Sequence, residues 1–466
     1  MKKKFALILS LILLTACFSG CERVTVNKPN GVLPDYDAKI NELSISIGGW
    51  LVPSTLNDEQ FEYMKQSGID TYYFAQCGDD AYYIDVNSIT SEDALVLEKM
   101  QEYGLDAVLH MGSNRCETIA GIDNASSYPA VKALCYDEPN KKQMDEIKGY
   151  LDIVNQNTGE ITLFVNMFPS VSYKRCGFFT YKNYLKYFCD QILTNLNVGE
   201  KWLSADRYPL TFDKNGNPTL DSNWLFELET VATIAKKYPD VKTNFFIQTM
   251  PYGGEVYPAG VVGSHDRVPT YEDVRMQEYT VLCFGFDRFS CFCYGSPCVY
   301  WEFNEEQVAM IDRQGNPTQI YYDVSRANNE IKAFDHVLQQ FTWHGVFTND
   351  AGKTTKGKGI TTNKLFKKLN NRLSIKKING LKKVYSSQDT LFGCFTDQSQ
   401  NAGFMVVNCN DTSLKLTNDV TLTFDNAYGY TKALCYVGGQ KQIVDIKNDT
   451  LTLNLGVGEG VFVIPY

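Results

Sequence analysis

From residue 43 onward the chain alternates short apolar runs with longer amphipathic ones. The short runs, rich in β-branched and aromatic residues, are 44–50 (SISIGGW), 70–77 (DTYYFAQC), 105–111 (LDAVLHM), 131–138 (VKALCYDE), 161–168 (ITLFVNMF), 202–208 (WLSADRY), 243–250 (TNFFIQTM) and 287–294 (DRFSCFCY). Their length and bounding turn residues predict buried strands. Between them, 57–67 (NDEQFEYMKQS) and 91–103 (SEDALVLEKMQEY) carry helical spacing, and Asn57 stands where an N-cap belongs. Further helical patterns occupy 141–155, 180–196, 223–237 and 270–284. Strand–helix alternation of this kind implies a parallel sheet, and eight units close into a (β/α)8 TIM barrel over 43–345. A doubly wound open sheet is disfavoured, because GGW after the first run is not a GxGxxG phosphate loop.

After the barrel the texture changes. Residues 319–341 continue a helical pattern, 346–365 read as a linker, and from 366 short alternating runs are separated by Asn, Asp and Gly turns. Examples are 403–408 (GFMVVN), 419–424 (DVTLTF) and 459–464 (EGVFVI), which predict a small antiparallel β-sandwich over 366–466. The string D-x-x-G-N-P-T recurs at 213–219 and 312–318, as turn chemistry at two loop sites.

A barrel gathers its chemistry at the C-terminal ends of its strands. In chain order those ends offer Trp50, Gln76, His110, Asp137-Glu138, Asn166, Asp206-Arg207-Tyr208, Gln248 and Tyr294, with Trp301 and Glu302 just beyond the eighth. Such a ring of polar and aromatic groups suits a polyol. The fourth strand poses the sharpest question, since ALCYDEPN places two carboxylates side by side at the end of an apolar run. Two adjacent carboxylates near an apolar wall repel each other and are costly to desolvate.

The 466 residues are too many for one small domain, and a net charge of -10 argues against a nucleic-acid or anionic-membrane surface. The N-terminus has its own signature: Lys2 to Lys4, an apolar stretch from Phe5 to Leu14 too short to span a bilayer, then Leu14-Thr15-Ala16-Cys17. That tetrapeptide resembles a bacterial lipobox, which implies a signal peptide over 1–16, lipidation of Cys17, and a tether over 17–42 that lifts the body off the membrane. The expected location is therefore extracytoplasmic, with the membrane touched only through lipid. Cys77, Cys135, Cys291 and Cys293 sit inside strand-like runs and read as small buried hydrophobes. No CxxC pair occurs, the four histidines form no i,i+4 pair, and no phosphate loop is present. Neither a metal nor a cofactor is expected.

Several stretches resemble bacterial TIM-barrel glycoside hydrolases of the β-galactosidase-like clan. They are CYDEP at strand four, VNMFP at strand five, LSADRYPL at strand six, MIDRQGNPTQIYYDVSRANNEI after strand eight and the terminal GVGEGVFVIPY. The resemblance spans about 43–466 and implies a carbohydrate substrate, with an acid/base Glu after strand four and a nucleophilic Glu after strand seven. Glu138 matches the first position. At the second stands Gln248, an amide in place of a carboxylate.

Glycoside cleavage needs one carboxylic acid to protonate the leaving oxygen and a second group to stabilise or attack the cationic carbon. Glu138 suits the acid role, with Asp206 as its partner, or with Asp137 orienting a substrate that serves as its own nucleophile. The expected substrate contacts are Trp50, Gln76, His110, Asn166, Tyr208, Gln248, Tyr294 and Trp301. Two other readings stand beside this one: a non-catalytic glycan-binding surface lipoprotein, and a solute-binding lipoprotein of a transporter. The last requires two α/β lobes crossed by a hinge.

Overall fold

A computed structural model describes residues 23–77, 81–112, 115–213, 215–252, 267–299, 303–355 and 361–466. Eight parallel strands close into a barrel: β1 (Ile47–Trp50), β2 (Thr71–Phe74), β3 (Asp106–His110), β4 (Val131–Asp137), β5 (Thr162–Met167), β6 (Lys201–Asp206), β7 (Val241–Gln248) and β8 (Arg288–Phe292). Each expected strand is present, and β8 pairs with β1 to complete the circle.

The helices form where caps start them. Asn57 accepts the amide of Gln60 at 3.0 Å to open Asp58–Gln66. Thr90 with Asp93, Asn140 with Gln143 and Thr270 with Asp273 form reciprocal capping boxes. Among the described residues no helix is long and apolar enough to cross a membrane.

Strand periodicity sorts the side chains into two cores. Tyr73, Val108, Cys135, Phe164, Trp202 and Phe246 fill the barrel interior, while their strand neighbours pack against the surrounding helices. The interior also carries a polar chain. Ser204 Oγ donates to Asn166 Oδ1 (3.0 Å), Asn244 Nδ2 to Ser204 Oγ (2.9 Å), and Ser290 Oγ to Asn244 Oδ1 (2.9 Å). Tyr73 OH lies 3.2 Å from Ser290 Oγ, so hydrogen bonds link strands β5, β6, β7, β8 and β2 through the middle of the barrel.

The C-terminal part is a sandwich of two antiparallel sheets. One runs in the order Phe341–Asn349, Thr390–Asp397, Ala402–Asn408, Gly460–Pro465, Lys432–Val437, Gln440–Asp445; the other runs Lys353–Thr355, Leu381–Ser386, Asn418–Phe424, Thr450–Leu455. The helix Tyr271–Cys283, buried along nearly its whole length, is the seam between barrel and sandwich. Arg275 Nη2 donates to Val457 O (2.7 Å), and Arg267 bridges Asp273 (2.6 Å) and Asp411 (3.0 Å). Gly460 lets the last strand lie flat on Tyr279, whose ring a Cβ there would strike.

Two expected boundaries shift. The segment expected to link the domains, 346–365, begins inside the strand Phe341–Asn349, which pairs with Thr390–Asp397 and belongs to the sandwich. The described part of the expected tether, 23–42, lies on the body. Val24 exchanges backbone hydrogen bonds with Lys377 (2.8 Å) and Asn379 (3.0 Å), and Tyr36 OH donates to Asp397 Oδ2 (2.8 Å). Val24 and Val26 are apolar and bury themselves in the sandwich core, which explains why a Pro- and Gly-punctuated stretch does not float.

Candidate active site

At the C-terminal end of the barrel lies a cavity of about 280 Å³ lined by Trp50, Gln76, His110, Asp137, Glu138, Asn166, Asp206 and Tyr208. A second cavity of about 460 Å³ adjoins it, walled by Asn140, Gln143, Phe168, Arg175 and Cys176. His110, Asp137 and Glu138 line both. The adjacent carboxylates therefore stand at the joint of a two-lobed cleft.

Neighbouring residues on a strand face opposite ways, so Asp137 and Glu138 should not both point inward. They do, because Glu138 adopts φ +51, a left-handed conformation that costs a non-glycine residue about 1–2 kcal/mol. Its N–H donates to Asn166 O at 2.9 Å, holding the turn in place. Backbone strain of this kind concentrates at functional sites.

Asn166 organises the floor. Its Oδ1 is taken by Ser204, so the amide nitrogen faces the carboxylates and donates to Asp137 Oδ1 (3.2 Å) and Asp206 Oδ1 (3.4 Å). One nitrogen within reach of both keeps the oxygens at or below the low end of the roughly 6.5–9.5 Å spacing that accommodates an attacking water. Burial, then the charge of Asp137, pushes the Asp206 carboxyl up to about 7; Asn166, Arg207 and Tyr208 pull the other way. Arg207 is not its main partner: the guanidinium turns away, and Nε donates to Asp221 Oδ2 at 2.6 Å.

Aromatic rings form the walls. Trp50 meets His110 and Phe246 edge-on at 5.7 and 5.6 Å, and Tyr208 stacks on Phe292 at 4.8 Å. The Gly112 N–H donates to His110 Nδ1 at 3.1 Å, so the neutral ring carries its proton on Nε2.

Trp50, Gln76, His110, Asn166 and Tyr208 thus come together with Asp137, Glu138 and Asp206. Two expected contacts do not. Gln248 is fully buried away from the cavity: its Oε1 accepts Leu210 N (2.9 Å), and its Nε2 donates to Tyr252 O (3.2 Å). Tyr294 is also fully buried, with its ring against Tyr72 at 5.0 Å in the layer between barrel and helices. The cavity instead receives Phe246 from β7 and Phe292 from β8, each two residues before the position read from the sequence. Trp301, Glu302 and Cys17 lie outside the described residues. Tyr252, Phe303 and the second cavity's Arg175 stood outside the expected strands, and loops bring them in. Cys77, expected as a buried hydrophobe, is half-buried at the rim. Among the described residues no group of three His, Cys, Asp or Glu side chains is placed to hold a metal ion.

No protein-family model matches the chain. No curated protein sequence matches it either. Solved structures do. A protein described as a glycoside hydrolase superposes with a TM-score of 0.52 at 10% identity, covering 91% of this chain and 92% of its own. A glycoside hydrolase family 5 protein from Bacteroides vulgatus ATCC 8482 gives 0.51 at 10% identity, covering 90% and 89%. These likenesses extend over barrel and sandwich together, and they show that fold.

Proposed function

We propose that this protein is a glycoside hydrolase, anchored through Cys17 and acting on carbohydrate outside the cytoplasmic membrane. The observation that carries the reading is the placement of Asp137 and Glu138 at the joint of a two-lobed, aromatic-walled cleft, with Asp206 beside them in the first lobe. A glycosidic oxygen joining sugars in the two lobes falls beside Glu138. Glu138 supplies the proton to that oxygen, and the Asp137–Asp206 pair stabilises or attacks the cationic carbon. The closed barrel is not the two-lobed hinge of a solute-binding protein. The glycan-binding alternative remains as the inactive outcome of the test.

A second assignment of roles follows from Asp206 itself. A carboxyl whose pKa is raised to about 7 can act as a proton donor near neutral pH, with Glu138 or Asp137 as the second group. Leaving-group dependence separates the two. The variant lacking the true acid, Glu138→Gln or Asp206→Asn, keeps most of its rate on nitrophenyl glycosides and loses it on unactivated ones. Wild-type protein inert on a broad panel of aryl glycosides and polysaccharides, yet retained on a glycan column, would replace the enzyme with a binder. The anchor is tested separately, by mass spectrometry for a diacylglycerol-modified Cys17 at the mature N-terminus.

A further inference from the structure

The rim of the first cavity holds a feature unrelated to the acid groups. Cys77, three residues past β2, meets Cys298, on the loop after β8, with their Sγ atoms 2.7 Å apart. That is well inside the separation at which two non-bonded sulfurs pack. The Cys298 N–H donates to Cys77 Sγ at 3.0 Å, fixing the sulfur over its neighbour. Both residues are partly exposed, whereas the other nine cysteines whose side chains are described are buried. Burial pushes the thiols of Cys189, Cys409 and Cys435 up to about 12, which removes them from thiol exchange at neutral pH.

We propose that Cys77 and Cys298 are the site of an oxidative crosslink, a disulfide that straps the β2 and β8 loops together at the mouth of the cavity. β1, which ends in Trp50, lies between β2 and β8 in the barrel. The bridge therefore crosses the end of β1. Cys77 and Pro297, next to Cys298, both line the cavity, so the strap fixes part of its wall. The oxidant is a disulfide carrier, either a small-molecule disulfide or a thiol oxidoreductase in its disulfide form. One cysteine thiolate attacks the carrier and releases its first thiolate, forming a mixed disulfide. The second cysteine then displaces the remaining carrier thiolate. Two protein thiols give up two protons and two electrons, and the carrier disulfide takes up the electrons. The inference is independent of the reaction the cavity performs.

The test uses the full chain, incubated with excess oxidised glutathione, denatured, alkylated and digested without reductant. The expected result is a linked peptide pair containing Cys77 and Cys298, with both absent from the alkylated set. Thermal unfolding gives a second readout: reductant lowers the midpoint of the oxidised wild type and leaves that of Cys298→Ala unchanged. Recovery of both cysteines as alkylated thiols after oxidation overturns the proposal. So does recovery of Cys77 solely as a mixed disulfide with glutathione.

Discussion

Asp137 and Asp206 are hydrogen-bonded by the same atom, the amide nitrogen of Asn166. The arrangement depends on Ser204 occupying the amide oxygen, and Ser204 is in turn held by Asn244 and Ser290. A polar chain through the barrel thus sets the spacing of two carboxyls at its mouth. Replacing Asn166 with Ala should lower kcat/KM on the order of 10²-fold, the usual consequence of displacing a reacting group by about an ångström. The fold should survive a loss of about 1–3 kcal/mol from the Ser204 hydroxyl left without its acceptor. Steady-state kinetics alongside urea unfolding separate the two effects.

Asp206 makes the site costly to the fold in a pH-dependent way. Its folded-state value of about 7 lies above the ordinary carboxylate value of about 3.9. Between those limits the native state keeps a proton that the unfolded chain has released, so stability falls as pH rises through the window. The favourable contribution is complete below the ordinary value and gone above about 7, with a ceiling of about 1.4 kcal/mol per pH unit. Asp206→Asn should remove the slope. Its unfolding midpoint should exceed that of wild type at pH 8 and match it near pH 4, as read by thermal scans across pH.

Glu138→Gln keeps the volume, the backbone turn and the hydrogen bond to Asn166 O while abolishing acidity. Turnover should fall by at least about 10²-fold on natural glycosides. A near wild-type rate would move the proton donor to Asp206.

Gln248 invites the substitution that would place a carboxylate where the β-galactosidase-like clan has one. Gln248→Glu should not raise activity. The new carboxylate would lie against the carbonyl oxygens of Met250 and Tyr252, which the amide now serves as donor. An unpaired buried acceptor of this kind costs about 1–3 kcal/mol, measurable as a lower urea midpoint.

Much of this was legible in the sequence because strand–helix alternation is a repeated signal, and eight repeats leave few topologies open. Asp137, Glu138, Asn166 and Asp206 were found because polar groups ending apolar runs stand out. The errors came from strand ends and from loops. On β7 the interior positions are Asn244 and Phe246; the next in phase, Gln248, lies where the strand gives way to a loop, and its amide braces backbone instead of facing the cavity. Tyr294 lies past the end of β8, where strand alternation no longer fixes direction. The N-terminal segment reads as a tether by composition, yet Val24 and Val26 bury in the sandwich core and Tyr36 bonds Asp397, which seats it on the sandwich. Nothing in a linear pattern brings Cys77 to Cys298, which are 221 positions apart.

Seating Val24 against Lys377 and Asn379 has a consequence for the proposed anchor at Cys17. A lipid on Cys17 would have only residues 18–22 between it and Arg23, whose Nε donates to Asn379 Oδ1 at 2.7 Å, a reach of at most about 20 Å. The sandwich would then stand foot-first on the headgroups, close enough for the bilayer to screen one side of the molecule. Its catch would be glycans drifting within a molecular diameter of the cell surface, and a longer leash spliced in before Val24 would widen that catch without touching a single residue of the cleft.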